Sequence, residues 1–368
     1  MIADNAWVDA LARMGIIAVA APVAVIVLGY VERKLIGRLQ MRLGPMRVGP
    51  YGSLQMVADT VKLIAKEDLR PQTADRWTFE LAPFVMVVSV FLAYVALPFT
   101  TDLFVRNLAL GLFYIVAVSG LSIVGVVMAG WGSDNKYALL GGVRAAAQLI
   151  SYEIPLVMAV LAIAMVGQSL NLVELADAQG RVPFIVWQPL AFFIFVVAGL
   201  AELYRPPFDI PVAESEVVGG PFVEYSGIRW SMFQMAEYLN LVLISVLGSI
   251  IFLGGWNWPG GNGAGAGLQV VLIALKTSLF ILFFIWMRGS MPRLRIDQLM
   301  AFCWQVLLPF AFLQIIINGL VLVYEWPDWT LGVLSGIATL AAAYLTYHGA
   351  RQAAVPTSPR LHRVGSVL

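Results

Sequence analysis

One connecting segment of this chain, residues 205–230, carries four carboxylates between long apolar runs. They are Asp209, Glu214, Glu216 and Glu224. Glu214 and Glu216 are two residues apart and face different ways on a helix, so a paired-carboxylate metal site is not expected there. Carboxylates in a medium of low dielectric have raised and mutually coupled proton affinities. One interpretation of this segment is a hydrated cavity lined by carboxylates, and an ordinary solvated acidic loop is the alternative.

Three more glutamates lie where apolar runs begin or end. Glu202 closes one run just before Pro206 and Pro207, and Glu237 opens the next one. Glu153 falls a turn or two inside another run, where its charged form needs a partner or water, so a functional role is the default. A structural ion pair with Arg144 is the alternative for Glu153. Carboxylates at several helix ends could line one shared hydrated cavity.

Composition places these carboxylates in a membrane protein. The chain has 368 residues, of which 60% are hydrophobic and only 12% charged. Apolar runs near the length of a membrane-spanning helix recur along it, which predicts one all-helical polytopic domain over residues 1–368. A net charge of +1 indicates no nucleic-acid partner. A single cysteine, Cys303, excludes the usual four-thiolate iron–sulfur ligation within this chain.

The apolar runs predict about eight or nine transmembrane helices, of which the last is the weakest. The predicted spans are 11–32, 79–98, 108–130, 148–167, 187–203, 237–255, 268–288, 303–324 and 331–347.

Basic residues are distributed unevenly over the connections between these spans. All but four of the 23 lysines and arginines fall on one side. The exceptions are Arg13, Arg106, Arg181 and Lys276. The positive-inside rule then makes the basic side cytoplasmic and puts the N-terminus outside. The predicted cytoplasmic segments are 33–78, 131–147, 204–236, 289–302 and the tail 348–368.

An amphipathic helix is predicted within the first cytoplasmic connection, from Tyr51 onward. One stripe is apolar and the other is polar at helical spacing. The apolar stripe is Leu54, Val57, Val61 and Ile64, and the polar stripe is Gln55, Asp59, Lys62 and Lys66. Such a helix lies along the membrane interface or under a partner protein, and a simple anchor on anionic lipid is the alternative.

Five long strings carry a resemblance to a known family. They are "ERKLIGRLQMRLGPMRVGPYGSLQMVADTVKLIAKED", "SDNKYALLGGVRAAAQLISYE", "RPPFDIPVAESE", "VEYSGIRWSMFQMAEY" and "MRGSMPRLRIDQLM". In order and spacing the chain resembles the membrane subunits of respiratory complex I that support the quinone chamber, which are the H-type subunit of bacteria and subunit 1 of mitochondria. The resemblance covers nearly the whole chain.

This resemblance implies a function for the charged residues. Residues near the quinone chamber or its entrance would be Glu32, Arg33, Asp59, Lys62, Arg205, Asp209 and Phe222. A proton relay leading from the chamber into the membrane would comprise Glu153, Glu202, Glu214, Glu216, Glu224 and Glu237. The acidic segment would then couple quinone reduction to proton movement. Two departures remove titratable positions that many relatives have, since this chain has Val212 and Gly120 there.

The resemblance also implies the surroundings of the chain. Quinone would be the substrate, no metal or cofactor would be bound by this chain alone, and FMN and iron–sulfur clusters would reside in partner subunits. The partners would be other membrane-arm subunits, the quinone-proximal subunits of the peripheral arm, and lipid, in the bacterial plasma membrane. The alternatives are the anchor subunit of a related membrane-bound hydrogenase, a stand-alone ion transporter and a purely structural scaffold. A transporter of that kind would show an internal repeat with broken helices, and none is visible.

Overall fold

The computed structural model describes residues 2–101, 103–180, 182–258 and 265–354, without the side chains of 2–7, 9, 214 and 347–354. All regular elements longer than a single bridge residue in these ranges are helical. The α-helices are α1 (Ile2–Leu39), α2 (Gln55–Ala65), α3 (Arg76–Val95), α4 (Gly111–Ser119), α5 (Leu121–Gly132), α6 (Lys136–Gly167), α7 (Leu172–Ala178), α8 (Phe184–Trp187), α9 (Pro189–Glu202), α10 (Glu214–Val217), α11 (Gly227–Leu253), α12 (Ala266–Ser290), α13 (Ile296–Phe302), α14 (Leu308–Val323) and α15 (Asp328–Ala354). A π-helical turn, Cys303–Leu307, joins α13 to α14.

Eight helical segments within the described ranges are long and apolar enough to cross a membrane. They are Ala10–Leu39, Arg76–Val95, Gly111–Gly132, Lys136–Gly167, Gly227–Leu253, Ala266–Ser290, Ile296–Val323 and Asp328–Thr346. Each overlaps one predicted span, which confirms the all-helical polytopic fold. The remaining predicted span, 187–203, is the shorter apolar helix α9, which has 14 residues. A helix that crosses the hydrocarbon core along the membrane normal needs about 20 residues, so α9 alone falls short of that length.

Several helices begin earlier than their apolar pattern predicts. The segment 131–147 is not a simple loop, because α6 starts at Lys136 behind an Asn135 cap that accepts a hydrogen bond from the Tyr137 amide at 2.8 Å. The predicted connections 204–236 and 289–302 likewise contain the first turns of α11 and α13. These turns include polar and small residues, so a search for apolar runs misses them. The predicted tail 348–368 overlaps the end of α15, and beyond Ala354 it lies outside the described residues.

Helices α3, α5, α6, α9 and α11 pack together and form the core of the bundle. Small residues allow the close approach of α5 to α6. A Cβ on Gly130 would lie 2.7 Å from the Ala138 carbonyl oxygen and 3.0 Å from Gly142 Cα. Contacts between small residues let helix backbones approach closely within a membrane. This packing brings the C-terminal end of α9 beside the middle of α6 and the first half of α11.

The acidic connection between α9 and α11 is folded onto this bundle. The buried Gln148 side chain donates hydrogen bonds at 2.8 Å to the carbonyls of Ala201 and Phe208, one on either side of the turn that ends α9. Further along, a Cβ on Gly141 would overlap the backbone of Gly220. The Tyr225 hydroxyl donates to the Phe79 carbonyl at 3.0 Å, and the two rings stack. The connection is therefore held by α3 and α6 along its length.

Candidate functional site

A buried ionic cluster joins three distant parts of the chain. Glu32 of α1 is 2% exposed, and one of its carboxylate oxygens accepts hydrogen bonds from both Arg205 and Arg288. Arg205 is itself buried and lies over the ring of Tyr238, 5.2 Å from its centroid. The Tyr238 hydroxyl also lies within hydrogen-bonding reach of the Glu32 carboxylate. Two arginines on one carboxylate leave a net positive charge in this group, which suits an anionic ligand.

The cluster continues into the acidic connection. Arg293 donates to Asp209 at 3.0 Å and to the Ser215 hydroxyl at 3.2 Å. Burial raises the pKa of Asp209 above its ordinary value, although the charges of Arg293, Arg288 and Arg205 act in the opposite direction. Asp209 can therefore accept a proton at a higher pH than an exposed aspartate.

A second ionic contact lies on the outer side of α1. Arg33 donates to Asp59 of α2 at 2.6 Å, and Gln55 donates to the other Asp59 oxygen at 3.2 Å. Partial burial raises the pKa of Asp59, but the hydrogen bond and charge of Arg33 outweigh it, so the pKa lies below its ordinary value. Lys62 is exposed on the same helix and also favours the charged aspartate. The charged residues predicted for the chamber and its entrance thus form two groups, which share α1.

Three of the predicted relay glutamates come together inside the bundle. Glu202 and Glu237 line one cavity with Tyr204 and Asn240. Glu202 and Glu153 line a second cavity. Glu202 is the carboxylate that lines both cavities. Each cavity has a volume of about 10 Å³, close to the minimum of roughly 10–15 Å³ that one water molecule needs. Two such waters would connect the three carboxylates in the order Glu237, Glu202, Glu153.

Gly120 provides the space that the Glu153 carboxylate occupies. A Cβ on Gly120 would lie 2.8 Å from Glu153 Oε1. Ser119 and Ser122 flank this position on the edge of the second cavity. The carboxylate of Glu153, from α6, therefore occupies the space that a side chain at position 120 would need.

Other predicted relay residues lie in separate contacts. Glu216 pairs with Arg144 at 3.0 Å, so Arg144 is engaged by Glu216 and not by Glu153. Glu224 accepts a hydrogen bond of 2.6 Å from the Asn135 side chain. These two contacts attach the acidic connection to the start of α6. The side chain of Glu214 lies outside the described part of the structure.

Phe222 lies in an aromatic cluster and not beside the ionic residues described above. Its side chain is 7% exposed and packs on Phe233, with ring centroids 4.5 Å apart. Phe233 in turn contacts Tyr225 edge to face. A role for Phe222 at the chamber stays a prediction.

Sequence reasoning missed several residues that complete the site. Arg288 and Arg293 stand in the string "MRGSMPRLRIDQLM", where the sequence pattern indicates only cytoplasmic charge. Tyr204, Tyr238 and Asn240 follow predicted glutamates closely in the chain, and that adjacency is the available signal. Within the described ranges no group of three or more His, Cys, Asp or Glu side chains could hold a metal ion.

Comparison with known proteins agrees with the sequence resemblance. The NADH dehydrogenase family model matches residues 12–319. The chain is 48% identical over 296 residues to the H-type subunit of NADH-quinone oxidoreductase from Brevibacillus brevis, which covers 80% of this chain and 88% of that protein. It is 48% identical over 310 residues to the same subunit from Geobacillus kaustophilus, covering 84% and 92%. It is 42% identical over 331 residues to that from Dehalococcoides mccartyi, covering 90% and 92%. The chain therefore belongs to the family of H-type membrane subunits of NADH-quinone oxidoreductase, respiratory complex I.

Proposed function

We propose that this subunit closes the membrane end of a quinone-binding chamber and passes protons from it through Glu237, Glu202 and Glu153. Quinone is the substrate, and electrons reach it from partner subunits that carry FMN and iron–sulfur clusters. The chain contributes side chains that bind, orient and exchange protons, and no redox centre of its own. The observation that carries the proposal is that Glu202 lines both water-sized cavities and so links the other two glutamates.

The ionic cluster of Glu32, Arg205 and Arg288 gives this line a charged starting point. Quinone reduction adds negative charge in a confined space, and arginine guanidinium groups stabilise such charge. Arg205 and Arg288 also act electrostatically on Glu237, as does Asp209. A change of charge beside the arginines therefore alters the protonation of Glu237, and its neighbours respond in turn, because interacting carboxylates titrate as one coupled system.

The Arg33–Asp59 contact supports an entrance between α1 and α2. The apolar stripe of α2 is exposed in the single chain, with Val57, Val61 and Ile64 at 41%, 60% and 63%. An exposed apolar stripe beside a charged one suits a helix at the membrane interface. A quinone headgroup that leaves the bilayer here would meet Lys62 and Asp59 before it reached Glu32. We assign this side to the cytoplasm and the N-terminus to the outside of a bacterial plasma membrane.

The relay is tested with glutamines, which keep size and hydrogen bonding and remove titration. We expect Glu153→Gln and Glu237→Gln each to lower NADH-to-quinone activity and proton uptake in equal proportion, measured in reconstituted vesicles. The double variant should lose much less than the sum of the two single losses, because both act on one line. Glu174→Gln is the matched control, since Glu174 is exposed and accepts a hydrogen bond from the Ser169 hydroxyl, away from both cavities.

Assembly is checked in the same preparations through electron transfer from NADH to an artificial acceptor. Near-normal quinone activity and proton uptake in both single variants, with normal assembly, would rule out the relay.

A further inference from the structure

A cavity lies between the C-terminal end of α1 and the connection that follows it, outside the residues assigned above. Its volume is about 590 Å³, within the range of roughly 300–1,000 Å³ typical of small-molecule sites. Three basic side chains, Lys34, Arg38 and Arg42, line it together with Tyr30 and Tyr51. No acidic side chain is among the described lining residues. We call this the α1 basic cavity.

The three cations of the α1 basic cavity lack carboxylate partners in the described part of the chain. Lys34 Nζ lies 3.1 Å from the Met46 sulfur and 5.7 Å from the centre of the Tyr30 ring. Arg42 donates to the neutral Gln40 side chain at 2.7 Å. The nearest acid on the neighbouring helix, Asp59, is already paired with Arg33. Mutual repulsion of these cations is therefore uncompensated within the described part of the chain, and a bound anion would offset it.

The connection is held in a fixed shape over this cavity. Tyr51 has a φ of 54°, and its carbonyl accepts a hydrogen bond from the Tyr30 hydroxyl at 3.2 Å. Gly44 permits close approach to α1, because a Cβ there would lie 3.1 Å from Lys34 Cδ. The basic residues are thus placed around one pocket, which is open to solvent on one side.

An apolar path leads from the cavity along α1. Ile16, Val23 and Val27 are 68%, 58% and 54% exposed. At 100° per residue these three positions share one stripe of the helix with Lys34 and Arg38. A ligand held by the two cations could therefore extend along α1 over apolar side chains, which favours an amphiphile over a small soluble anion.

We propose that the α1 basic cavity binds the phosphate headgroup of an anionic phospholipid, whose acyl chains lie along Val27 and Val23. Arg38 supplies a planar pair of donors to the phosphate, and Lys34 supplies a point charge. Tyr30 and Tyr51 occupy the level of the headgroups, where tyrosine is enriched in membrane proteins. The lipid then neutralises the cluster and fills the space between α1 and its connection.

The test compares lipid binding by assembled enzymes. Wild-type enzyme, washed in lipid-free detergent, is titrated with phosphatidylglycerol or with phosphatidylcholine of the same chains, and bound lipid is counted by native mass spectrometry. We expect a preference for phosphatidylglycerol that Arg38→Gln weakens roughly fivefold and Lys34→Gln/Arg38→Gln weakens by roughly the square of that. Arg76→Gln/Lys136→Gln removes two exposed cations that lie outside this connection and should leave the preference unchanged.

Three outcomes would overturn the proposal. Equal phosphatidylglycerol binding by wild-type enzyme and the double variant would show that the cavity is not the site. Displacement of the lipid by glycerol phosphate at equal concentration would show a soluble phosphate site instead. Loss of a peripheral subunit from the double variant, with lipid binding retained, would show a protein contact. Arg38→Gln alone keeps the test informative, because Arg38 is exposed and its removal breaks no described contact.

Discussion

Two consecutive residues of α1, Glu32 and Arg33, form ionic contacts on different sides of the helix, one buried and one exposed. Glu32 is buried and holds two arginines, whereas Arg33 is 48% exposed in its side chain and holds one aspartate. Removing one member of a buried ionic group leaves its partners charged and unpaired, which is far more harmful than breaking an exposed pair. The same helix turn therefore contains one contact on which the fold depends and one that it can lose.

We expect Glu32→Gln to destabilise the subunit by about 3–5 kcal/mol, because Arg205 and Arg288 would lose their shared counter-charge. Asp59→Asn is the matched control on the exposed side and should cost less than about 1 kcal/mol. The midpoint of thermal inactivation of the assembled enzyme measures both. Similar midpoints for the two variants would contradict the difference in burial.

The pH dependence of the Arg33–Asp59 contact follows from the lowered pKa of Asp59. A carboxylate whose pKa is lower in the folded state stabilises that state above its unfolded pKa, and the contribution disappears as the pH falls through the folded value. Both values lie at or below the ordinary 3.8. The difference in thermal midpoint between wild type and Asp59→Asn should therefore be constant between about pH 5.5 and 8. A difference that declines across this interval would mean that Asp59 is not held charged by Arg33.

Gly120 offers a change that moves a carboxylate without removing it. Gly120→Ala places a Cβ against Glu153 Oε1, and the end of a flexible side chain can shift at little energetic cost. We expect normal assembly and a thermal midpoint close to wild type, but lower quinone-linked proton uptake, because the carboxylate leaves the second cavity. Gly319→Ala is the control, since a Cβ there has no neighbour within 4 Å. Unchanged proton uptake in Gly120→Ala would show that the position of Glu153 is not critical.

Helices and their order follow well from the sequence, whereas the contacts of the site do not. Apolar runs predicted every span because burial in lipid requires a long apolar helix whatever its neighbours are. Glu32 and Arg288 are 256 positions apart, and Arg144 pairs with Glu216 and not with the nearby Glu153. Such pairs depend on how the helices pack against one another, and the periodicity of the sequence does not predict that packing. The family resemblance identified the candidate site residues, whereas their ion-pair and hydrogen-bond partners became known only from the structure.

Pro155 gives a second example, within one helix, of a contact that the sequence pattern does not predict. Proline cannot donate a hydrogen bond to the carbonyl four residues earlier, so the Ser151 carbonyl of α6 is left free. The thiol of Cys303, from the π-helical turn, donates to that carbonyl at 3.0 Å. The sequence presents Cys303 as an isolated residue. Its role as the partner of a broken helical bond is visible only when α6 and the π-helical turn are in contact.

The amphipathic helix α2 lets the entrance be tested separately from the relay. We expect Lys62→Met to impair quinone turnover, mainly through a higher KM, because a headgroup that arrives from the bilayer must pass Lys62 and Asp59. Lys66→Met, one turn further along and also exposed, is the control. Activity with an artificial acceptor should stay normal in both. A parallel loss of artificial-acceptor activity in Lys62→Met would indicate a defect of assembly and contradict the assigned role.

At the scale of the whole molecule, the distribution of charge predicts the direction of insertion. A reporter fused after Arg363 should be cytoplasmic, and one inserted in the 257–267 connection should lie outside, because 19 of the 23 basic residues fall on the other side of the spans from Arg13, Arg106 and Arg181. Paired reporters that are active in opposite compartments provide the measurement. The reverse pattern would invert the orientation and move the ionic cluster to the outer face.

The glycine contact between Gly141 and Gly220 has a mechanical consequence. It presses the acidic connection against the side of α6, and Arg144 binds the same connection one turn later through Glu216. Glu153 stands on that helix about 18 Å away along its axis, since each residue rises 1.5 Å. A helix is stiff over this distance, so a displacement of α6 as a rigid body would also displace Glu153. The second cavity, at about 10 Å³, is close to the minimum volume for one water, so a shift of a fraction of an ångström at Glu153 would change whether a water fits there.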